Sequence, residues 1–472
     1  MIELGLALLI LTSATLLAYL LLAGLFSADP AVGGVPARLG EAYLLAVLGG
    51  GVGLSLLGEA LIPGPSGLFV LTGVAVLFLV STLTRASGRQ RVKLFVGRAR
   101  WRPSWPALLG AALLLIIGIQ ALSLPTLTWD AWNTWLAKSK AWVHAGQFVS
   151  VLPIEAWLGA SDPQSIHVVA HVYPEALPRS VAFLVAATGD WSDRIAHLPW
   201  PLLWLALGGV MWGGLAALSL DRRARSLICL GLLTLPLVTA HASLAGYADL
   251  WLSAVLLAAA VPAMRYFLRR QRRELCHALL FVALLPAVKQ EGGIYAGLFL
   301  IALLLAHLPW RHGLLLLVVA PLLVTALIYL TPVSVPIPGV GWLRLAWGSV
   351  EVPDAWHMAL FWRPVSVTVL SSLFLLPNWS LLWYLTPVLL IWRFRTLAAA
   401  PTRFLFLLFA LSAQFHFVLF FFTDASAWAQ DLTSLNRLLL HTAAIQVLLL
   451  AALGWQRSRC YGRYTRPELA SS

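Results

Sequence analysis

The sequence predicts an all-α protein, a polytopic bundle of membrane-spanning helices. Three observations carry that prediction: 60% of the 472 residues are hydrophobic, only 11% are charged, and the apolar residues run in long blocks. A soluble chain carries roughly 25% charged residues. The stretches Ile2 to Phe26, Leu39 to Ile62, Trp105 to Leu124 and Leu314 to Leu330 each approach the ~20 residues that cross a hydrocarbon core. In lipid only helices and closed barrels satisfy their backbone, and these Leu/Ala/Val runs lack a barrel's alternation.

Taken in order, the first block sits where a signal peptide would. It carries Glu3 and has no basic residue ahead of it, and its run exceeds the usual ~7–15 apolar residues, so it is read as a retained helix. Residues 1–103 form an N-terminal addition of three spans, closed by a basic stretch from Arg85 to Arg102 that holds Arg89, Arg91, Lys93, Arg98 and Arg100 between them. Such a stretch belongs on the cytoplasmic side. So do Arg222-Arg223-Ala224-Arg225, Arg265 to Arg273, Arg393 to Arg403 and the tail from Arg457. All of them stay on one side if Pro178 to Thr188 and Phe361 to Leu376 lie at the interface as amphipathic helices. The expectation is then about 13 spans (roughly 11–14), with the amino terminus outside and the carboxyl terminus inside. Residues 104–331 form the central module, with a large outer loop over 125–197. Residues 332–472 begin with an outer loop rich in Pro and Gly (Pro332, Pro336, Pro338, Gly339).

The net charge of +13 is that of basic loops between apolar helices, so no nucleic-acid partner is implied. Cys229, Cys276 and Cys460 lie in or beside apolar segments or in the basic tail. They imply no disulfide framework.

On this topology four polar groups reach the outer end. Thr128 to Lys140, containing Asp130, Trp132 and Trp135, follows the fourth span. His241 and Gly246-Tyr247-Ala248-Asp249 occupy a tight turn. Lys289-Gln290-Glu291-Gly292-Gly293 interrupts apolar sequence, and Asp431 to Arg437 opens the last span with His441 one turn deeper. Ionisable groups at or in a membrane mark sites or pathways by default, because they are costly to hold there. A plainer reading exists for each. Asp130 caps an interfacial helix, Asp249 caps the span that follows it, Lys289 and Glu291 pair locally, and Arg437 and His441 pair at i,i+4. The loop adds Glu155, Asp162, His167, His171, Tyr173 and Glu175. His167 and His171 have helical zinc-ligand spacing, but Pro163 and Pro174 leave little room for a helix and no third ligand is evident, so no metal is expected.

At these residues the sequence resembles the GT-C superfamily of polyprenyl-phosphate-sugar-dependent membrane glycosyltransferases, nearest to the protein O-mannosyltransferase and lipid A aminoarabinose transferase group. Asp130 in Trp129-Asp130-Ala131-Trp132 stands where that superfamily places an acidic residue in its first large outer loop. His171, Tyr173 and Pro174 look like the element closing that loop. Gly246-Tyr247-Ala248-Asp249, Lys289-Gln290-Glu291-Gly292 and Ser434 to His441 look like its later segments. The resemblance covers roughly residues 104–454. Two departures stand out: three spans precede the family's first helix, and its acidic pair is a single Asp130.

The resemblance implies a GT-C-like fold with interfacial helices in the first outer loop. It also implies inverting sugar transfer from a polyprenyl-phosphate donor to a glycan, lipid or protein acceptor, at the periplasmic face of a bacterial inner membrane. No cofactor is implied beyond the lipid-linked donor. Asp130 would be the base toward the acceptor hydroxyl, and Lys289 and Arg437 the cations that receive the leaving phosphate. Asp249, Glu291, His441, Tyr247, Trp132, His171 and Tyr173 would bind or orient substrate, with Trp132 and Trp135 stacking on sugar or anchoring the interface. A lipid-linked sugar flippase or transporter is the first rival and expects polar residues through both halves of the membrane. A polymerase or ligase using lipid-diphosphate donors is the second.

Overall fold

The computed structural model describes residues 2–26, 34–57, 105–160, 165–337, 341–352 and 356–454. Among these residues eight helices are long and apolar enough to cross a membrane, nine if a pair bent by 66° counts as one broken span. The bundle is therefore that of an integral membrane protein. The expected count near thirteen is not reached on this criterion. The third N-terminal span and the basic stretch from Arg85 to Arg102 lie outside the described residues, as do Asp162, the tail from Arg457 and Cys460. Several apolar helices are also short: Glu291–Leu305 has 15 residues and Leu382–Trp392 has 11. At ~1.5 Å per residue they fall short of a ~30 Å core.

The helices that build the bundle are α1 (Ile2–Leu25), α2 (Gly34–Leu56), α3 (Trp105–Ser123), α4 (Asp193–Ala217), the bent pair α5 (Arg222–Leu233) and α6 (Pro236–Ser243), α7 (Asp249–Arg269), α8 (Arg272–Val288), α9 (Glu291–Leu305), α10 (Trp310–Leu330), α11 (Ala400–Phe422) and α12 (Leu435–Gly454). Helix α7 is the axis of the bundle. All its residues from Asp249 to Arg265 are buried, and Ala254, Ala258, Ala259, Ala260 and Ala263 let its neighbours approach closely. The N-terminal helices share that core rather than forming a detached unit. A Cβ on Gly40 of α2 would sit 2.4 Å from the Ala206 carbonyl of α4, and one on Gly209 would sit 2.4 Å from that of Pro36. Only glycine permits this crossing.

The alternating direction of the helices sorts the polar residues to two ends. Asp249 opens α7 and Arg265 lies sixteen residues on, about 24 Å away along the axis. The antiparallel α8 returns from Arg272 to Val288, which brings Lys289 back beside Asp249. Arg222 and Arg225 begin α5, whose partner α6 ends near Asp249. Arg265 is not a loop residue, as the basic run suggested. It is 4% exposed and bonds Glu274 at 2.9 Å, with Glu41 at 3.8 Å. Glu41 also lies 3.5 Å from His277.

Both segments expected at the interface begin and end at the Asp249 end. Ala176–Ala186 has 11 residues, too few to cross. Its N-terminal flank meets the site through Tyr173, and Asp193 just beyond it accepts from the Thr126 amide, past the far end of α3. Ser366–Leu375 likewise lies between Arg363, which donates to the Phe421 carbonyl, and Trp379, which donates to Asn436. The outer loop after Pro332 is not irregular. Strands Val333–Ile337, Gly341–Ala346, Ser349–Val352 and Trp356–Ala359 form a four-stranded antiparallel meander. A two-residue turn, Trp347-Gly348 with φ +79° at the glycine, joins the middle pair. The β-branched residues between those turn residues were the available strand signal.

A candidate site around a buried aspartate

The four polar groups, from distant parts of the chain, meet at Asp249. Its side chain has no exposed surface. Oδ1 accepts from Lys289 Nζ at 2.9 Å and from His441 Nε2 at 2.9 Å, and Oδ2 accepts from Arg437 Nε at 2.9 Å. The cap reading therefore fails, because these oxygens face other helices and not the first turn of α7. Arg437 also donates through Nη2 to Asp130, and Lys289 lies 3.1 Å from Glu291.

The local sequence explains how each group arrives. Thr128 Oγ1 bonds the Ala245 carbonyl at 3.0 Å, tying the Asp130 segment to the α6–α7 turn. Gly246 has φ +109°, and a Cβ there would lie 2.2 Å from that of Ala131. This glycine thus supplies both a left-handed turn and the close approach of the two loops. Asp130 starts a single π turn, Ala131–Trp135, and makes no capping bond. Gly292 lets α9 start against α8, since a Cβ would fall 1.9 Å from the Leu285 carbonyl. On α12 the i,i+4 spacing puts Arg437 and His441 on one face, as expected, but both turn to Asp249.

Exposure grades the cluster from mouth to floor. The side chains of Asp130, Glu291 and Arg437 keep 20%, 19% and 18% of their surface, and Lys289 keeps 5%. Arg437 is thus the reachable cation, with Lys289 one layer deeper. Burial alone would lower the Lys289 amine, but Asp249 and then Glu291 outweigh it and hold it above the usual lysine range. Tyr247 lies under the Arg437 guanidinium at 4.6 Å, and Tyr173 lies 5.8 Å from Lys289 Nζ. Burial raises both phenols above the ordinary range, so they act here as neutral rings that serve as cation platforms.

Histidine tautomers follow from the partners. His441 Nε2 must carry a proton to bond a carboxylate, and its Nδ1 is buried without a partner. His241 Nδ1 donates to the Leu237 carbonyl at 2.9 Å, which leaves its Nε2 lone pair 4.0 Å from Asp249.

Other expected residues fall differently. Trp132 is 54% exposed and meets Trp129 edge-on at 5.0 Å. Trp135 is 1% exposed and stacks on Tyr173 at 5.3 Å. It can neither face a sugar nor anchor in the interface, because its ring is packed inside the fold against Tyr173. His171 contributes its carbonyl to Lys138 Nζ at 3.0 Å, and its ring lies 6.4 Å from that of His167. Among the described residues no group of three or more His, Cys, Asp or Glu side chains could hold a metal.

Sequence reasoning missed a supporting layer. Lys138 is buried and bonds the carbonyls of His171 and Tyr173, fixing the Tyr173 ring. Burial lowers its amine to about 8. Behind His441 lies Tyr295, bonded to His416 at 2.8 Å. The i,i+4 spacing from Glu291 to Tyr295 was the one available sequence signal. Comparison with family models, curated proteins and solved structures finds no match.

Proposed function

We propose that the protein is an inverting membrane glycosyltransferase that moves a sugar from a polyprenyl-phosphate donor to an acceptor at the end opposite the basic loops. The observation that carries the reading is the pairing of a partly exposed carboxylate, Asp130, with a partly exposed guanidinium, Arg437, whose other edge is anchored on buried Asp249. Displacement at an anomeric carbon needs a base toward the acceptor and a cation toward the leaving group within one sugar ring of each other. The resemblance at Asp130, Gly246 to Asp249, Lys289 to Gly292 and Ser434 to His441 supports the same reading.

In this scheme the donor phosphate competes with Asp130 for Arg437. Its arrival frees the Asp130 carboxylate, which takes the acceptor hydroxyl proton as the acceptor oxygen bonds the anomeric carbon. The bond from that carbon to the phosphate oxygen breaks, and the polyprenyl phosphate leaves with its charge on Arg437. Lys289, held between Asp249 and Glu291, balances the buried Asp249 charge beneath Arg437, and His441 holds Asp249 in place. Trp132 and Trp129 border the mouth. A bacterial inner membrane, with the site facing the periplasm, is part of this proposal.

The test uses purified protein in vesicles with a panel of polyprenyl-phosphate-linked sugars. Asp130→Asn is expected to lose transfer by about 10²–10⁴-fold yet bind polyprenyl phosphate at least as tightly, because Arg437 is released. Full transfer by a folded Asp130→Asn protein removes the proposed base. Failure of the wild type to bind polyprenyl phosphate removes the reading itself.

A lipid-linked sugar flippase is the second reading, favoured by the other buried ionic cluster, Glu41, Arg265 and His277, at the opposite end. Between Asp249 and Arg265, however, α7 presents Ser253 as its one small polar residue in a buried apolar run. Flux of a fluorescent lipid-linked sugar without any acceptor would select the flippase.

A further inference from the structure

A groove of about 900 Å³ runs between α1, α2, α4 and α5, from Arg222 at the basic-loop end to Tyr43 and Leu202 toward the other. Its walls are apolar and include Leu8, Leu16 and Leu205, which are 40%, 38% and 44% exposed. At the basic-loop end it is lined by Arg222, Arg225 and Ser226 at the start of α5. The Arg225 guanidinium lies over the Trp212 ring at 4.5 Å, and its Nε is buried with no hydrogen-bond partner. The nearby carboxylate of Asp221 is engaged in capping α5, accepting from the Ala224 amide at 2.9 Å. One end is thus cationic, with the Arg225 Nε unpartnered, while the rest is greasy and roomy.

We propose that this groove binds one anionic glycerophospholipid from the leaflet on the basic-loop side. Its phosphate would sit on Arg225 and Arg222, with an acyl chain along the wall formed by α1 and α4. Charge complementarity selects the headgroup: two guanidinium groups line this end of the groove, and a phosphate supplies the opposite charge and acceptor oxygens for them. Basic pockets between helices on the cytoplasmic side suit such headgroups. The lipid would fill the space between α1 and α5 beside the direct crossing of α2 and α4.

The experiment reads lipid retention by native mass spectrometry of the full chain. The protein is first equilibrated in vesicles of equal phosphatidylglycerol and phosphatidylcholine, then extracted in mild detergent. One phosphatidylglycerol is expected to be retained in preference to phosphatidylcholine. Arg225→Ala together with Arg222→Ala should weaken that preference about tenfold. Leu205→Trp, which fills the groove and leaves both arginines in place, should reduce retention of either lipid. Unchanged thermal unfolding of the variants shows that they are folded. Retention without headgroup preference, or a preference that survives the double arginine variant, overturns the proposal. So does a groove closed by a second copy of the chain, seen as a dimer that carries no lipid.

Discussion

Asp249→Ala tests the centre of the cluster most directly. The side chain is fully buried and joins Lys289, Arg437 and His441 through three bonds of 2.9 Å. Its removal leaves Lys289 with Glu291 alone and Arg437 with Asp130 alone, both less buried than the partner they lose. Breaking a buried ionic network by deleting one partner costs about 3–5 kcal/mol. At roughly 2–4 °C per kcal/mol for domains of 150–250 residues, with less for a longer chain, this is a fall in Tm of about 5–15 °C. Asn is expected to restore only part of that. An amide keeps one acceptor oxygen, so it loses either the Arg437 bond or the bonds of Lys289 and His441. The assay is thermal unfolding in detergent, with Asp424→Ala as the comparison. Asp424 pairs with Arg363 but is 72% exposed, so its loss should cost about 0–1 kcal/mol. A Tm for Asp249→Ala no lower than that of Asp424→Ala refutes the reading of Asp249 as the buried anchor.

Three further outcomes are expected. Trp135→Ala should destabilise by about 3–5 kcal/mol as a buried aromatic is lost, whereas Trp132→Ala, at an exposed ring, should leave Tm nearly unchanged and act on transfer instead. Gly246→Ala should cost about 1–3 kcal/mol through its positive φ and its clash with Ala131, and, by parting Asp130 from Arg437, should lower transfer without weakening polyprenyl-phosphate binding; an unchanged Tm and transfer rate would contradict that. For Lys138 the folded amine titrates near 8 and the unfolded one near 10.5. Between those values the unfolded chain holds more protons, so stability relative to Lys138→Met should rise with pH in that window and be flat below it. Parallel pH–Tm curves for the two proteins would show that Lys138 does not titrate there.

The sequence by itself determined the membrane class and the identity of the groups that meet. Long apolar runs force helices in lipid, and charge asymmetry orients them, so both properties are local in the chain. Asp130, Asp249, Lys289, Glu291, Arg437 and His441 were all legible as ionisable residues in costly positions. Only the tertiary structure decided that Asp249 is the hub, that Arg437 is reachable while Lys289 lies deeper, and that Trp135 faces inward. It also revealed the Glu41, Arg265 and His277 cluster and the supporting Lys138. Those facts depend on which helix faces are neighbours, and residues such as Asp130 and Arg437, 307 positions apart, leave no local pattern that records their contact. The meander after Pro332 was missed for a related reason. Turn residues dominate that stretch, and its short alternating strands gain their order from pairing with each other.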